Sequence, residues 1–292
     1  CRVAPDQFAD VAFEILENPQ VVGVLLEKMA HKDPDRCLVG QDRALHSIYG
    51  RHTTVPVAHS PDSITLPVQM RLLIYNIRYA IGAGAPPQMP VPGAGYLFGA
   101  PGNLDNIINF AKSVTPDVVG LIEVDVGSVR SGGVNQAEVI ADALGHYSSY
   151  ECKYGEESLN QLLPILRKQA NAFLAAPSIV GERFHYFDTG IKRLIIELEL
   201  DGVIIFLVHL SLKYRHRQEQ LRYLYELTSR AKKPVIVAGD FNTFWGESEM
   251  FLFMKAAGLR SANVDGLPSY PSKSPRMELD FVLYGEGIDI TS

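Results

Sequence analysis

The stretch Pro234-Val235-Ile236-Val237-Ala238-Gly239-Asp240-Phe241-Asn242 decides how the rest of the chain reads. Its β-branched and apolar run has the length and texture of a buried strand. Gly239 then gives the backbone freedom to turn. Asp240 and Asn242 follow two residues apart. Alternate residues of an extended segment point the same way, so the two can present a carboxylate and an amide to one point. That pairing of an anionic oxygen with a neutral amide suits a hydrated Mg²⁺ and a phosphate oxygen. It equally suits a strand ending in an ordinary turn, where Asp and Asn are common. Other segments decide between these readings.

Several apolar runs stop on a polar residue in the same way. Asn76 ends Leu72-Leu73-Ile74-Tyr75, Glu123 ends Val118-Val119-Gly120-Leu121-Ile122, and His209 ends the run from Val203 to Val208. Asp280 interrupts the segment from Met277 to Leu283, between Leu279 and Phe281. A polar group at one strand end needs no explanation beyond a local partner. Five strands that each deliver a carboxylate, amide or imidazole need mutual partners, because buried polar groups must be satisfied. A hard cation with a phosphate is the simplest.

The surrounding pattern alternates strand and helix from residue 70 onward. Strands are predicted at 71–77, 118–122, 147–153, 171–175, 192–200, 203–209, 234–239 and 277–284. Helices are predicted at 103–114, with Asn103 as N-cap, and at 135–145, 215–231 and 246–257. Asp201-Gly202 joins two strands as a tight hairpin. An antiparallel hairpin inside an α/β pattern argues against a purely parallel sheet and for two mixed sheets packed face to face with helices outside. The Gly/Pro-rich loop 81–102 is longer than connections in compact domains usually are. Residues 1–66 differ. Phe8, Val11, Ala12, Ile15 and Leu16, then Val21, Val22, Leu25, Leu26 and Met29, recur at helical spacing, which predicts a small helical extension of unknown role before a domain at 67–292.

Composition narrows the classes. The 292 residues are 47% hydrophobic and 21% charged, as in a soluble globular protein with a large core. No run approaches the roughly 18 apolar residues of a membrane span, so a soluble protein is expected, in the cytoplasm sooner than elsewhere. A net charge of −6 argues against binding nucleic acid by bulk electrostatics. Three widely separated cysteines, Cys1, Cys37 and Cys152, fit neither a zinc site nor a disulfide framework. Arg215, His216 and Arg217 read as the solvated face of a helix. Lys192 and Arg193 suit either an exposed hairpin or a face toward an anionic substrate. Trp245 reads as a cover for the Asp240–Asn242 loop.

The ordered motifs Leu73-Ile74-Tyr75-Asn76-Ile77-Arg78, Val119-Gly120-Leu121-Ile122-Glu123-Val124, Val208-His209-Leu210-Ser211, Gly239-Asp240-Phe241-Asn242 and Met277-Glu278-Leu279-Asp280-Phe281-Val282-Leu283 together resemble the endonuclease/exonuclease/phosphatase superfamily, the DNase I-like proteins, over about residues 70–284. The resemblance implies a four-layered α/β sandwich and metal-dependent hydrolysis of phosphate esters. It implies Glu123 as the main Mg²⁺ ligand with Asn76 beside the same ion, Mn²⁺ being an alternative. Asp240 would orient or deprotonate the attacking water, Asn242 would hydrogen-bond phosphoryl oxygens, and His209 would donate to a non-bridging oxygen. Asn171, in Gln169-Ala170-Asn171-Ala172, and Arg78 are the implied phosphate contacts. Asp280 would pair with a histidine of a closing Ser-Asp-His segment. The sequence stops at Ser292 before such a segment and contains no Asp-His dipeptide, and truncation of a longer chain is the preferred reading. The competing function is a non-catalytic binding module of the same fold that lacks that final pair. The expected substrate is a small phosphodiester, a phospholipid head group or a nucleic acid; long duplex DNA is disfavoured by the acidic balance.

Overall fold

The computed structural model describes residues 68–81, 102–153, 163–176, 179–188, 192, 194–244, 247–263, 266–270 and 274–290, together with Val21–Val22 and Thr54–Val57. Within the expected N-terminal extension, β1 (Val21–Val22) and β2 (Thr54–Val57) are short strands that pair antiparallel with β3 (Val68–Asn76). The rest of that extension, and Arg193 and Trp245, lie outside the described residues.

The first sheet runs β1-β3-β4-β6-β5, with β2 also on β3. Its further strands are β4 (Val118–Asp125), β5 (Tyr147–Cys152) and β6 (Gln169–Ala175). The second runs β11-β12-β10-β9-β8-β7, with β7 (Gly181–Tyr186), β8 (Leu194–Glu199), β9 (Ile204–His209), β10 (Val235–Asp240), β11 (Arg260–Ser261) and β12 (Asp280–Tyr284). Both sheets are mixed: β3 and β4 are parallel, as are β9 and β10, while their outer neighbours run antiparallel. The Asp201-Gly202 turn joins β8 to β9, closed by the Leu200 amide donating to Val203 O at 2.9 Å.

Side-chain alternation builds the layers. On β3, Leu72 and Ile74 face the second sheet, where they join Ile196, Ile205, Leu207, Ile236 and Val282 in one cluster. Leu73 and Tyr75 face the other way, against Ile107, Phe110 and Ala111 of α1 (Asn103–Val114) and Ile140 of α2 (Gln136–Leu144). On β10, Ile236 and Ala238 point between the sheets. Val235 and Val237 pack under Leu221 and Leu224 of α3 (Tyr214–Ser229) and Phe253 of α4 (Phe251–Ala257). The order is helices, sheet, sheet, helices: the expected four-layered sandwich. Period-two burial on both faces of the central strands leaves them no solvent side, which is why they read as unbroken apolar runs.

Two local expectations need correction. Gly102, at φ 79°, occupies the N-cap of α1, and Asn103 is its first helical residue with no capping hydrogen bond. Arg217 is no part of a solvated face: it is 0% exposed and its guanidinium pairs with Glu249, also donating to Ser211 O and Leu212 O at 2.9 and 2.8 Å. The helix turns Arg217 inward against the loop after β9, where those carbonyls have no strand partner. Periodicity alone cannot reveal that a charged residue is consumed by loop backbone. The edge strand β7, Gly-Glu-Arg-Phe-His-Tyr, carries no apolar alternation and has no fully buried residue, so no strand is expected there from sequence.

Gly239 marks where β10 presses against β9. A Cβ there would lie 2.0 Å from Val208 O, and the residue sits at φ +143°. Rigid backbone is the obstacle. At Gly120 a Cβ would instead meet the tips of Ile74 and Leu207 at 2.7 and 2.9 Å, which can rotate aside. We expect Gly239→Ala to cost about 3 kcal/mol or more and Gly120→Ala about 1–3 kcal/mol. Urea midpoints would check this; equal losses would refute the distinction.

Candidate active site

Strand direction gathers the polar strand ends at one end of the sandwich. Parallel pairing sets Asp240 opposite His209, and antiparallel pairing sets it opposite Asp280 at the start of β12. Three consecutive strands thus place His209, Asp240 and Asp280 in one row. In the other sheet Asn76 closes β3 and Glu123 follows the residue paired with it.

Glu123 owes its position to a β-bulge. The β4–β6 register shifts between Leu121 and Val124, so that Ile122 and Glu123 together face Asn171. Glu123 adopts a left-handed φ of 58°. Its amide, displaced from the ladder, donates to Asn171 Oδ1 at 3.2 Å. The bulge re-aims a side chain at a sheet end, as bulges commonly do. The Glu123 carboxylate has no hydrogen bond or ion pair among the described residues. Burial raises its pKa, yet the charges of Lys153 and Lys192 oppose that and it lies below the usual carboxylate range.

The Asp240 carboxylate joins the sheets. Its Oδ2 receives Asn76 Nδ2 across the seam at 3.4 Å and lies 3.3 Å from His209 Nε2, while Oδ1 accepts the Asn242 amide at 3.0 Å. Asn242 is left-handed at φ 51°, which folds its amide back to that oxygen. Burial alone would push the Asp240 carboxyl up; the bond from His209, the Lys192 charge and the Asn242 amide bring it below its ordinary value. Asp280 goes the opposite way. Burial and the adjacent Asp240 push it well above the normal range, although the Ser269 hydroxyl partly opposes this. Two carboxylates in register thus shift in opposite directions, as close like charges impose.

The predicted residues come together, though several act differently from expectation. His209, 1% exposed, has Nε2 3.3 Å from Asp240 Oδ2; with its proton on Nε2 it donates to that carboxylate, and Lys192 Nζ lies beside the ring as a neighbouring charge, not as a donor to it. Its Nδ1 is buried with no partner among the described residues. Burial and Lys192 lower its pKa to about 4, so the imidazole is neutral at pH 7. Asn242 Nδ2 donates to Leu210 O at 2.9 Å, anchoring its own loop. Arg78 contributes its amide, which donates to Asn76 Oδ1 at 3.2 Å. Asn171 has Oδ1 engaged by the Glu123 amide, and its Nδ2 is a buried donor with no partner among the described residues. Lys192, left open by the sequence, sits against His209. Lys153 carried no sequence signal, since it follows β5 singly in a polar segment, yet it interacts electrostatically with Glu123 and Asp240. Arg215, by contrast, is exposed and pairs only with Glu219.

Among the described residues no group of three or more His, Cys, Asp or Glu could enclose an ion. A buried Glu123 carboxylate with no hydrogen bond or ion pair among the described residues, following the residue paired with Asn76, fits Mg²⁺ or Mn²⁺, which can bind through one or two protein oxygens and keep their remaining waters.

The sequence model of the Endonuclease/Exonuclease/phosphatase family matches residues 75–292. Comparison with curated proteins gives no match. Among solved structures, an endonuclease/exonuclease/phosphatase from Beutenbergia cavernae has 18% identity and a TM-score of 0.53, covering 76% of this chain and 66% of its own. A functionally unknown conserved protein from Enterococcus faecalis has 12% identity and a TM-score of 0.49, with 62% and 78% covered. The human Nocturnin catalytic domain with bound sulfate has 19% identity and a TM-score of 0.45, with 64% and 77% covered. The first of these likenesses supports the fold. No described helix is long and apolar enough to cross a membrane.

The buried histidine makes stability depend on pH. His209 takes up its proton near 6.5 when unfolded and at about 4 when folded. Between those values the unfolded chain holds more protons, so stability is full above the window and is lost as pH falls through it. The loss attributable to His209 is on the order of 3 kcal/mol, and the depressed Asp240 adds to it at still lower pH. Urea titrations from pH 7 to 4.5 should show this decline, with a flatter slope in His209→Gln. An unchanged slope would contradict the assignment.

Proposed function

Because the chain belongs to the endonuclease/exonuclease/phosphatase family, we propose that it is a metal-dependent hydrolase of phosphate esters in which Asp240 activates the attacking water. The observation that carries this reading is the Asp240 carboxylate itself: buried, ionised, and fixed by donors from both sheets. A carboxylate so held is preorganised for one task. Asn76 and His209 occupy Oδ2, whereas Oδ1 accepts only the Asn242 amide among the described residues and keeps a lone pair for a water.

Glu123 and Asn76 Oδ1 would hold the divalent ion. When bound, that ion supplies charge neutralisation and polarisation of a phosphoryl oxygen. The chain's own groups do the rest. Asn171 Nδ2 offers a hydrogen bond to a phosphoryl oxygen without losing one elsewhere, a donor set in place before charge develops. Asp240 orients water and takes its proton. His209 fixes the angle of that carboxylate. Asp280, its carboxyl pushed up by burial and by Asp240, is the weaker acid of the pair.

Phosphoryl transfer depends mainly on positioning and on stabilising charge, so single losses should be severe. With Mg²⁺ or Mn²⁺ the protein should hydrolyse p-nitrophenyl phosphate, bis-(p-nitrophenyl) phosphate or both, and neither after EDTA. Asp240→Asn and Glu123→Gln should each lower kcat/KM by roughly 10²–10⁴-fold. Turnover that survives EDTA or Asp240→Asn would defeat the mechanism. No turnover of any phosphate ester would favour the binding-module reading.

A further inference from the structure

Two lysine ammonium groups enter this pocket, and neither forms an ion pair among the described residues. Lys153 is 5% exposed; its Nζ donates to Tyr79 Oη at 3.1 Å and lies 5.0 Å from the ring centre. Lys192 is half-buried with Nζ against His209 Nε2. Both interact with Glu123 and Asp240 through space, and they repel each other. An ammonium buried on a phenol or an imidazole is a poor device for stability, since an apolar side chain would fill the same volume without a desolvation cost.

Each lysine is nevertheless held with care. Tyr79 lies within three consecutive left-handed residues, Arg78, Tyr79 and Ala80, at φ 47°, 58° and 54°. Gln136 Nε2 donates to Tyr79 O at 2.8 Å, and the Arg130 guanidinium covers the ring at 4.0 Å. Arg130 is itself fixed by Asp125, whose carboxylate also accepts from Ser128 and Ser131. On the other side, Gln220 Nε2 donates to Lys192 O at 2.8 Å, and its Oε1 accepts the Ser211 amide at 2.8 Å. Both arrangements place a positive charge near Glu123 and Asp240; Asn171, whose Oδ1 accepts the Glu123 amide and which pairs with Glu151 two residues before Lys153, keeps Nδ2 without a partner among the described residues.

We propose that Lys153, Lys192 and Asn171 Nδ2 form a cradle for the terminal oxygens of a phosphomonoester, so that the substrate class is a dianionic phosphomonoester and not an internal phosphodiester. This rests on the hydrolase reading above. A monoester presents three terminal oxygens and nearly two charges at pH 7; a diester presents two oxygens and one charge. Three donors from the chain, two of them cationic, match the former. Lysine serves such a group well as a point charge. In the reaction, the water oxygen bonds to phosphorus as the ester P–O bond breaks, and Asp240 takes the water's proton. The leaving alkoxide gains a proton from solvent, and the products are an alcohol and inorganic phosphate.

Calorimetry on the whole chain with Mg²⁺ at pH 7.5, using inorganic phosphate and dimethyl phosphate as probes, tests this without turnover. Inorganic phosphate should bind at least tenfold more tightly. Lys153→Met and Lys192→Met, each checked for fold by circular dichroism, should weaken phosphate at least tenfold and narrow its advantage over dimethyl phosphate. They should lower kcat/KM for p-nitrophenyl phosphate at least tenfold more than for the diester. If Lys153→Met does not fold, Tyr79→Phe, which keeps the ring and removes the hydroxyl, should weaken phosphate several-fold. Equal binding of the two anions, or folded variants that lose both equally, would overturn the inference. Diester hydrolysis with equal binding would leave the hydrolase reading standing alone; phosphate preference without any hydrolysis would do the reverse.

Discussion

The Asp240 carboxylate is the interaction on which the rest of the site depends. A buried carboxylate is tolerable only where hydrogen bonds and opposite charge replace its water. The replacements here come from three places in the sequence: Asn76 from the first sheet, His209 from the neighbouring strand, and the Asn242 amide from its own turn. At the sheet edges Tyr186 Oη of β7 donates to Cys152 O of β5 at 3.3 Å; the cluster between the sheets is apolar, and such contacts are non-directional and set no unique register. The Asn76 bond across the seam adds direction. It also ties Glu123 indirectly to Asp240, because Asn76 ends the strand beside which Glu123 lies.

That dependence explains how the backbone is spent at this end of the molecule. Among the described residues six non-glycine residues have left-handed φ: Arg78, Tyr79, Ala80, Thr115, Glu123 and Asn242. Thr115 terminates α1, where such a conformation is common. The remaining five flank the site. Each left-handed non-glycine residue costs roughly 1 kcal/mol or more, and each has a local bond: Asn76 Oδ1 for the Arg78 amide, Gln136 for the Tyr79 carbonyl, Ile77 O for the Ala80 amide, Asn171 for the Glu123 amide and Asp240 for the Asn242 amide. The conformational cost falls where side chains must be aimed away from regular strand geometry.

The sequence announced the strands that are buried on both faces, because apolar runs of that length have few other uses. It also announced the polar residues at their ends. Asn76, Glu123, His209, Asp240 and Asp280 all stop or interrupt such runs, and topology brings them to one end. What it did not announce was the division of labour among them. Whether Asn242 turns its amide to a ligand or to Leu210 O depends on a dihedral of its own turn, and whether His209 braces a carboxylate depends on register with β10. Lys153 and Arg217 were hidden for a related reason. A lone cation in a polar segment looks solvated, and only packing from distant elements shows that Tyr79 or Glu249 encloses it.

The opposite shifts of Asp240 and Asp280 follow from the same geometry. Both are buried, and they face each other across one antiparallel pair. His209 and the Asn242 amide are placed on Asp240 alone, whereas Asp280 has the Ser269 hydroxyl, a weaker partner for a negative charge. Mutual repulsion favours a single charge, and the hydrogen bonds favour Asp240 as its holder. A strand register shifted by two residues would keep the same side chains facing the core yet remove Asp280 from opposite Asp240. The pairing of β10 with β12 is therefore a chemical constraint as well as a packing one.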